Sequence, residues 1–234
     1  MRLLALDTAT EACSVALICD GAVIARFAEV GRGHAEQVLG MVDEVLTEAG
    51  VTLAQLDGLA ASVGPGAFTG VRISVAVAQG LAFGANLPVV AVSTLEALAL
   101  QALDAGAECA LACLDARMGE LYWGCFAADP QRLLVACGAA RVGPADGVAL
   151  AGGAPHRGIG RGFAAYPELG NLPGLVLDAA DARALPDGRA MARLGAVRLR
   201  AGEGRDAAEL TPQYLRDKVA LTEAERAAAR AQVP

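Results

Sequence analysis

Gly64-Pro65-Gly66-Ala67-Phe68-Thr69-Gly70-Val71-Arg72-Ile73 joins a strand-like run, Leu59 to Val63, to a helix-like run, Phe68 to Ala85. Gly64 and Gly66 supply backbone freedom for positive φ, while Pro65 fixes its own φ and pushes Gly64 out of the helical region. Such a turn aims a helix N-terminus and its free N–H groups at whatever lies above the sheet. Taken bare, Gly-Pro-Gly before a helix describes a tight strand-to-helix joint as readily as an anion seat, so the surrounding sequence has to decide.

Upstream, two alternating runs, Leu3 to Leu6 and Cys13 to Ile18, are joined by Asp7-Thr8-Ala9-Thr10-Glu11-Ala12. Asp20-Gly21 is a hairpin signal leading into a third run, Ala22 to Phe27, which predicts a three-stranded antiparallel meander. His34 to Ala49 places Val38, Leu39, Met41, Val42, Val45 and Leu46 on one arc about 160° wide at about 100° per residue, with Gly50 as its stop. Downstream come a strand (Pro88 to Val92) and a helix (Ser93 to Ala105). With a fourth strand at Leu56 to Val63, the order βββαβαβα predicts a mixed sheet with helices on its faces. A second set of strands begins after Gly106 (Cys109 to Leu114, Glu120 to Ala127, Arg132 to Ala136), with a hairpin turn at Ala116 to Gly119, so the domain boundary is expected near Ala105. Residues 1–105 are one expected subdomain, 106–220 a smaller one, and 221–234 a tail whose Thr222-Glu223-Ala224-Glu225 is a capping-box pattern.

The chain has 234 residues, 55% of them hydrophobic, and a formal net charge of −7. That is ample for sizeable cores. The N-terminal apolar run reaches Asp7 too soon for a signal peptide or a membrane span, so a cytoplasmic protein without membrane contact is expected. The six cysteines show no Cys-x-x-Cys pair and sit mostly in apolar strand-like runs, as buried small hydrophobes in a reducing compartment do. A protein that grips nucleic acid alone usually presents a basic face, so a net charge of −7 makes any nucleic-acid role indirect. Arg189 to Arg205 is the one local basic excess, expected as a solvated helix face.

The Gly64 to Phe83 run resembles the TsaB (YeaZ) family, whose pattern is close to GPGSFTGVRIG followed by AQGLA. The resemblance extends to Ala5 through Ala16, Pro88 to Thr94, Leu114 to Tyr122 and Pro212 to Ala220, and is weakest between about Gln131 and Arg205. It implies an α/β fold of the actin-like/sugar-kinase/Hsp70 (ASKHA) superfamily, with two related subdomains, each a mixed β-sheet flanked by helices. It also implies a non-catalytic partner of TsaD in installing threonylcarbamoyl on N6 of adenosine 37 of transfer RNA. A TsaD heterodimer, a TsaE ATPase partner, a homodimer when alone, and transfer RNA reached only through the complex all follow from the resemblance.

In actin-like ATPases the first turn holds magnesium and phosphate. Here Asp7, Thr8 and Thr10 are the vestigial candidates, and the competing reading is a structural turn whose side chains bond their own backbone. The second turn would want Asp-x-Gly, and the chain has Asp115-Ala116-Arg117; Asp104-Ala105-Gly106 spells the pattern, but Gly106 reads as a helix cap. TsaD carries a His-x-x-x-His metal pair where this chain has Thr94-Leu95-Glu96-Ala97-Leu98, and the only histidines are His34, at a helix start, and His156, read as loop. No Gly-x-Ser-x-Gly elbow is present. No catalytic residue, metal or cofactor is therefore expected; the rival is an autonomous enzyme of this fold, a small-molecule kinase or a glycoprotease. The Phe68 to Ala85 helix carries two apolar stripes, Val71/Val75/Ala78/Ala82 and Ile73/Val77/Leu81, and so needs two surfaces to pack against. One is its sheet; a neighbouring helix or a second protein covers the other. Val38, Met41, Val45, Ile73, Val77 and Leu81 are the candidate partner-interface residues.

Overall fold

The computed structural model describes residues 1–216; the expected tail 221–234 lies outside the described residues. The chain runs β1 (Arg2–Asp7), β2 (Ala12–Cys19), β3 (Ala22–Glu29), α1 (His34–Ala49), β4 (Gly58–Ser62), α2 (Phe68–Ala85), β5 (Val89–Val92) and α3 (Thr94–Asp104). This is the order expected from the sequence. The second half follows as β6 (Cys109–Arg117), β7 (Glu120–Asp129), β8 (Leu133–Ala136), β9 (Arg141–Gly143), β10 (His156–Ile159), α4 (Gly162–Ala165), β11 (Leu175–Val176) and α5 (Gly188–Arg200).

The first sheet has the order β3-β2-β1-β4-β5, and the second β11-β10-β6-β7-β8 with β9 on β7. In each, an antiparallel meander of three strands continues from its first strand into parallel partners: β1 pairs antiparallel with β2 and parallel with β4, and β6 pairs antiparallel with β7 and parallel with β10. The two halves thus share one topology, which fixes the α/β class with two related subdomains. The meander turns need left-handed backbone, and Asp20-Gly21 and Arg117-Met118-Gly119 supply it with positive φ throughout. Asp and Gly tolerate that region well, whereas at Arg117 it comes with a register shift beside Asp115.

Strand alternation sends β1 side chains to two different cores. Leu4 and Leu6 join Val15, Leu17, Val38, Val42, Val45, Val75, Ala78 and Ala82 on the outer face of the first sheet, under α1 and α2. Leu3 and Ala5 face the opposite way, into a core shared with Val90, Leu95, Leu98, Ala112, Phe126, Met191 and Leu194. That second core is built by an exchange: α3 packs on β6 and β7, and α5 packs on β1, β2, β4 and β5. Gly195 lets α5 lie close on the sheet, because a Cβ there would collide with Ala60. The expected boundary near Ala105 therefore separates the sheets but not the packing. Residues beyond α5 also return to the first half, where Val89 bridges Arg205 and Gln213 donates its N–H to the Val63 carbonyl (2.7 Å).

The arginines of α5 are only partly the solvated face expected. Arg193 pairs with Asp104, and Arg198 reaches Glu96 (2.5 Å) and the Ala91 carbonyl (2.7 Å), so two of them join α5 to α3 and its flank. All six cysteines are free, and burial pushes the Cys113 thiol well up. Ala105 is the C-cap of α3, and Gly106 just beyond it, with φ +95°, donates its N–H to the Leu103 carbonyl (3.0 Å). Among the described residues, α2 alone is long and apolar enough by length and composition to cross a membrane.

Candidate functional site

The turn after β1 is spent on the fold. Asp7 is fully buried, and its Oδ1 accepts the Ala9 N–H (2.7 Å) and the Ser62 hydroxyl (2.7 Å), with Ser74 Oγ 3.1 Å further on. Thr8 donates its hydroxyl to the Gly70 carbonyl (2.7 Å), and Thr10 Oγ1 accepts the Ala12 N–H (3.2 Å). His34 donates from Nε2 to the Thr10 carbonyl (2.8 Å), tying the start of α1 to the same turn. From the other side, Ala67 donates its N–H to the Ala9 carbonyl (2.7 Å). Gly66 and Gly70 lie so close to Ala9 and Thr8 that a Cβ at either would overlap backbone. Gly66 and Gly70 thus serve close packing of the α2 start onto this turn, and of the two glycines expected to supply positive φ only Gly64 does so, at +102°, while Gly66 is needed for the close approach to Ala9. Of the two readings of Asp7, Thr8 and Thr10, the geometry matches the turn that bonds its own chain.

Asp7 Oδ2 has no partner, and burial lifts the carboxyl from an ordinary value near 3.8 to about 6, opposed by the bonds from Ala9 and Ser62 and by the charge of His34. A folded-state value above the unfolded one makes the native state bind the extra proton. The contribution is intact below about pH 4 and lost as pH rises through about 6, a difference of about 3 kcal/mol. Asp7→Asn should remove that slope. Urea unfolding of both proteins at about pH 4 and about pH 8 is expected to show the stability difference moving by about 2–3 kcal/mol in favour of the variant as pH rises. A difference that stays constant with pH would show that Asp7 titrates normally in the fold.

A cleft of about 740 Å³ opens between the two halves above this turn, lined among others by Thr10, His34, Phe68, Tyr122, Arg161 and Tyr214. Where Asp-x-Gly would leave backbone open, Arg117 fills the space: its N–H bonds Asp115 Oδ1 (2.7 Å) and its guanidinium spans Asp115 (2.9 Å) and Glu11 (3.1 Å). Arg161 likewise crosses from the second half to Glu29 (2.7 Å) and Glu11 (3.9 Å). These cross-cleft pairs join residues over a hundred positions apart and leave no local trace in the sequence. The same holds for Tyr214, which stacks near Phe68.

The positions compared with a His-x-x-x-His pair are inside the fold. Thr94 and Leu98 are both fully buried, with Ser93 and Glu96 forming a reciprocal cap at the start of α3. His156 is not loop: it opens β10, is 1% exposed, and its Nδ1 lies 2.9 Å from the Ala154 carbonyl. The β-pairing with Leu175 that buries it comes from the part of the sequence with the weakest patterning. Gly152 and Gly153 lie in a bend before it.

The partner-interface candidates divide. Val71, Val75, Ala78 and Ala82 are the inward stripe of α2, at 4% exposure or less. Val38 and Val45 are fully buried beneath α1, so neither reaches an outer surface; their arc is the one that covers the sheet. Met41, Ile73, Val77 and Leu81 are partly buried at the margin of that core. The arc of α2 that faces solvent carries Arg72, Ala76, Gly80 and Phe83, with Phe83 83% exposed and Leu39 of α1 52% exposed.

A family model described as TsaD: tRNA N6-adenosine threonylcarbamoyltransferase matches residues 28–157. The chain is 41% identical over 231 residues to the tRNA threonylcarbamoyladenosine biosynthesis protein TsaB of Escherichia coli, covering 94% of this chain and 96% of that protein. It is similar in structure to YeaZ from Pseudomonas aeruginosa, with a TM-score of 0.85 and 42% identity over 92% of this chain and 99% of that one. A shorter match, 49% identical over 69 residues, is to the tRNA N6-adenosine threonylcarbamoyltransferase of Maricaulis maris, covering 30% of this chain and 18% of that enzyme.

Proposed function

The chain belongs to the TsaB (YeaZ) family and takes part in tRNA threonylcarbamoyladenosine biosynthesis, and from that premise we propose that it acts as a non-catalytic partner of TsaD. The observation that carries the reading is the closed turn: Thr8 on Gly70 and Ala67 on Ala9 use the groups that would otherwise meet a nucleotide's phosphates. A chain of this fold with its phosphate seat built into its own packing contributes a surface rather than a reaction. TsaD supplies the metal and the transfer chemistry, and TsaE is the ATPase that joins them.

The surface proposed for TsaD is the solvent face of α2 with the adjoining edge of α1. Phe83 stands beside Ala76 and Gly80, and Ile73, Val77, Leu81 and Met41 provide an apolar margin. A large ring next to small residues is the relief into which a second helix pair docks. In the absence of TsaD the same face closes on a second copy by two-fold symmetry.

The direct test is co-purification with tagged TsaD from the same organism, followed by reconstitution of adenosine modification with threonylcarbamoyl-AMP. Modification is expected only when both chains are present, and this chain alone is expected to be inactive towards peptides and to phosphorylate no small metabolite. Full modification by TsaD without this chain would remove the partner role. Peptidase or kinase activity of the chain alone would favour an autonomous enzyme.

A further inference from the structure

Phe68, Arg72 and Tyr214 cluster at the mouth of the cleft. The two rings are stacked 30° from parallel with centroids 6.0 Å apart. The Arg72 guanidinium lies 3.3 Å from the centre of the Phe68 ring and 5.6 Å from that of Tyr214. Among the described residues Arg72 makes no ion pair, whereas Arg117, Arg161 and Arg216 around the same opening all do. Both rings are half exposed, at 48% and 47%. Tyr122 lines the same cavity, with the Arg216 guanidinium 5.9 Å from its ring centre.

The floor below limits what enters. The turn at Thr8 to Thr10 is closed by α2, so a polyphosphate has no seat there, while the mouth above offers the half-exposed Tyr214 ring and a guanidinium that lies on Phe68 and makes no ion pair among the described residues. That pairing suits a group that is planar on one side and singly anionic on the other, entering base first with its chain remaining at the rim. We propose that the cleft mouth binds an unstacked nucleotide of a single-stranded RNA, its base on the exposed side of Tyr214 and its phosphate facing Arg72, which Phe68 holds in place. The proposal goes beyond the partnership with TsaD, since it gives this chain an RNA contact of its own. The net charge of −7 keeps that contact weak in isolation.

A labelled short oligoadenylate, an RNA duplex and AMP titrated into the full chain at low ionic strength test it by fluorescence anisotropy and competition. Saturable binding of the oligoadenylate is expected, with AMP and the duplex much weaker. Tyr214→Ala should weaken it at least about tenfold, and Tyr214→Phe, which keeps the ring, should restore it. Arg72→Ala should flatten the salt dependence by about one counterion. Both weakened variants should keep the wild-type thermal midpoint and still co-purify with TsaD, so that loss of RNA contact is separable from loss of the partner. Undetectable oligoadenylate binding, or equal affinity in Tyr214→Ala, would overturn the site. AMP bound as tightly as the oligoadenylate would overturn the assignment to a strand, and a duplex bound equally well would reduce the contact to phosphate alone.

Discussion

Gly70→Ala is expected to cost at least about 3 kcal/mol of folding stability, enough to remove a large part of the margin of a domain of this size. The first turn of α2 rests on the Thr8 peptide, with the Thr8 hydroxyl donating to the Gly70 carbonyl over 2.7 Å. A Cβ at Gly70 would lie inside contact distance of the Thr8 carbonyl oxygen, and what it meets is backbone at the end of a buried central strand. No rotamer can relieve that overlap; either α2 lifts from the sheet, uncovering Val75 and Ala78, or the turn after β1 rearranges and breaks the Asp7 bonds. Gly40→Ala in α1 is the control, because nothing lies within 4 Å of its added Cβ. It should stabilise the isolated protein by roughly 0.5–1 kcal/mol through helix propensity. Urea titration of the two variants decides the matter, and a Gly70→Ala protein as stable as wild type would show that α2 is not seated on the turn.

Placing a charge on adjacent α2 residues should separate folding from association. Val75 is 4% exposed and packs under α2 against the first sheet, so Val75→Glu buries a carboxylate with no cation beside it and is expected to unfold the protein or cost about 3–5 kcal/mol. Ala76 is the next residue and faces solvent. Ala76→Glu should leave the thermal midpoint nearly unchanged while weakening TsaD capture by about 100-fold, because an unpaired charge is desolvated only when the partner docks. Circular dichroism and a pull-down with tagged TsaD read the two effects independently. Undiminished capture by folded Ala76→Glu and Phe83→Glu would move the partner surface away from this helix.

What the residues disclosed follows from how local each signal is. The first sheet was legible because alternation, Asp20-Gly21 and Gly64-Pro65-Gly66 each act within a few positions. The register that results, β1 on both β2 and β4, puts Leu4 and Leu6 with the apolar residues of one face and Leu3 and Ala5 with those of the other. The exchange of α3 and α5 was not legible, since an apolar face declares that a helix is covered without naming the sheet that covers it. A hint lay in Leu95, Ala97, Leu98, Ala99, Leu100 and Ala102, buried on nearly every side as a helix between two sheets must be. Val38 and Val45 read in the sequence as partner residues because a wide arc on α1 cannot be divided by periodicity into the part that meets its own sheet and the part left over. The second half was hardest: β9, β11 and α4 are two to four residues long. Near β10 and β11, order depends on Arg157 with Asp178 and Asp181, a charge arrangement that no hydrophobic pattern announces.

The exchanged helices make the chain indivisible. Cut at residue 105, the N-terminal piece would carry α3 away from the sheet it covers and leave the inner face of its own sheet bare, while the C-terminal piece would hold α5 with nothing beneath it. Neither half is expected to fold by itself, however closely their topologies agree. Melting should therefore pass through one transition, although the two sheets share one strand order. The inner pair of helices is not the sole tie between the halves, because Arg117 and Arg161 reach Glu11 and Glu29 across the cleft and Arg205 bridges Val89. A change at α5 is therefore expected to be felt in both sheets, since α5 packs on the first and on α3, which covers the second.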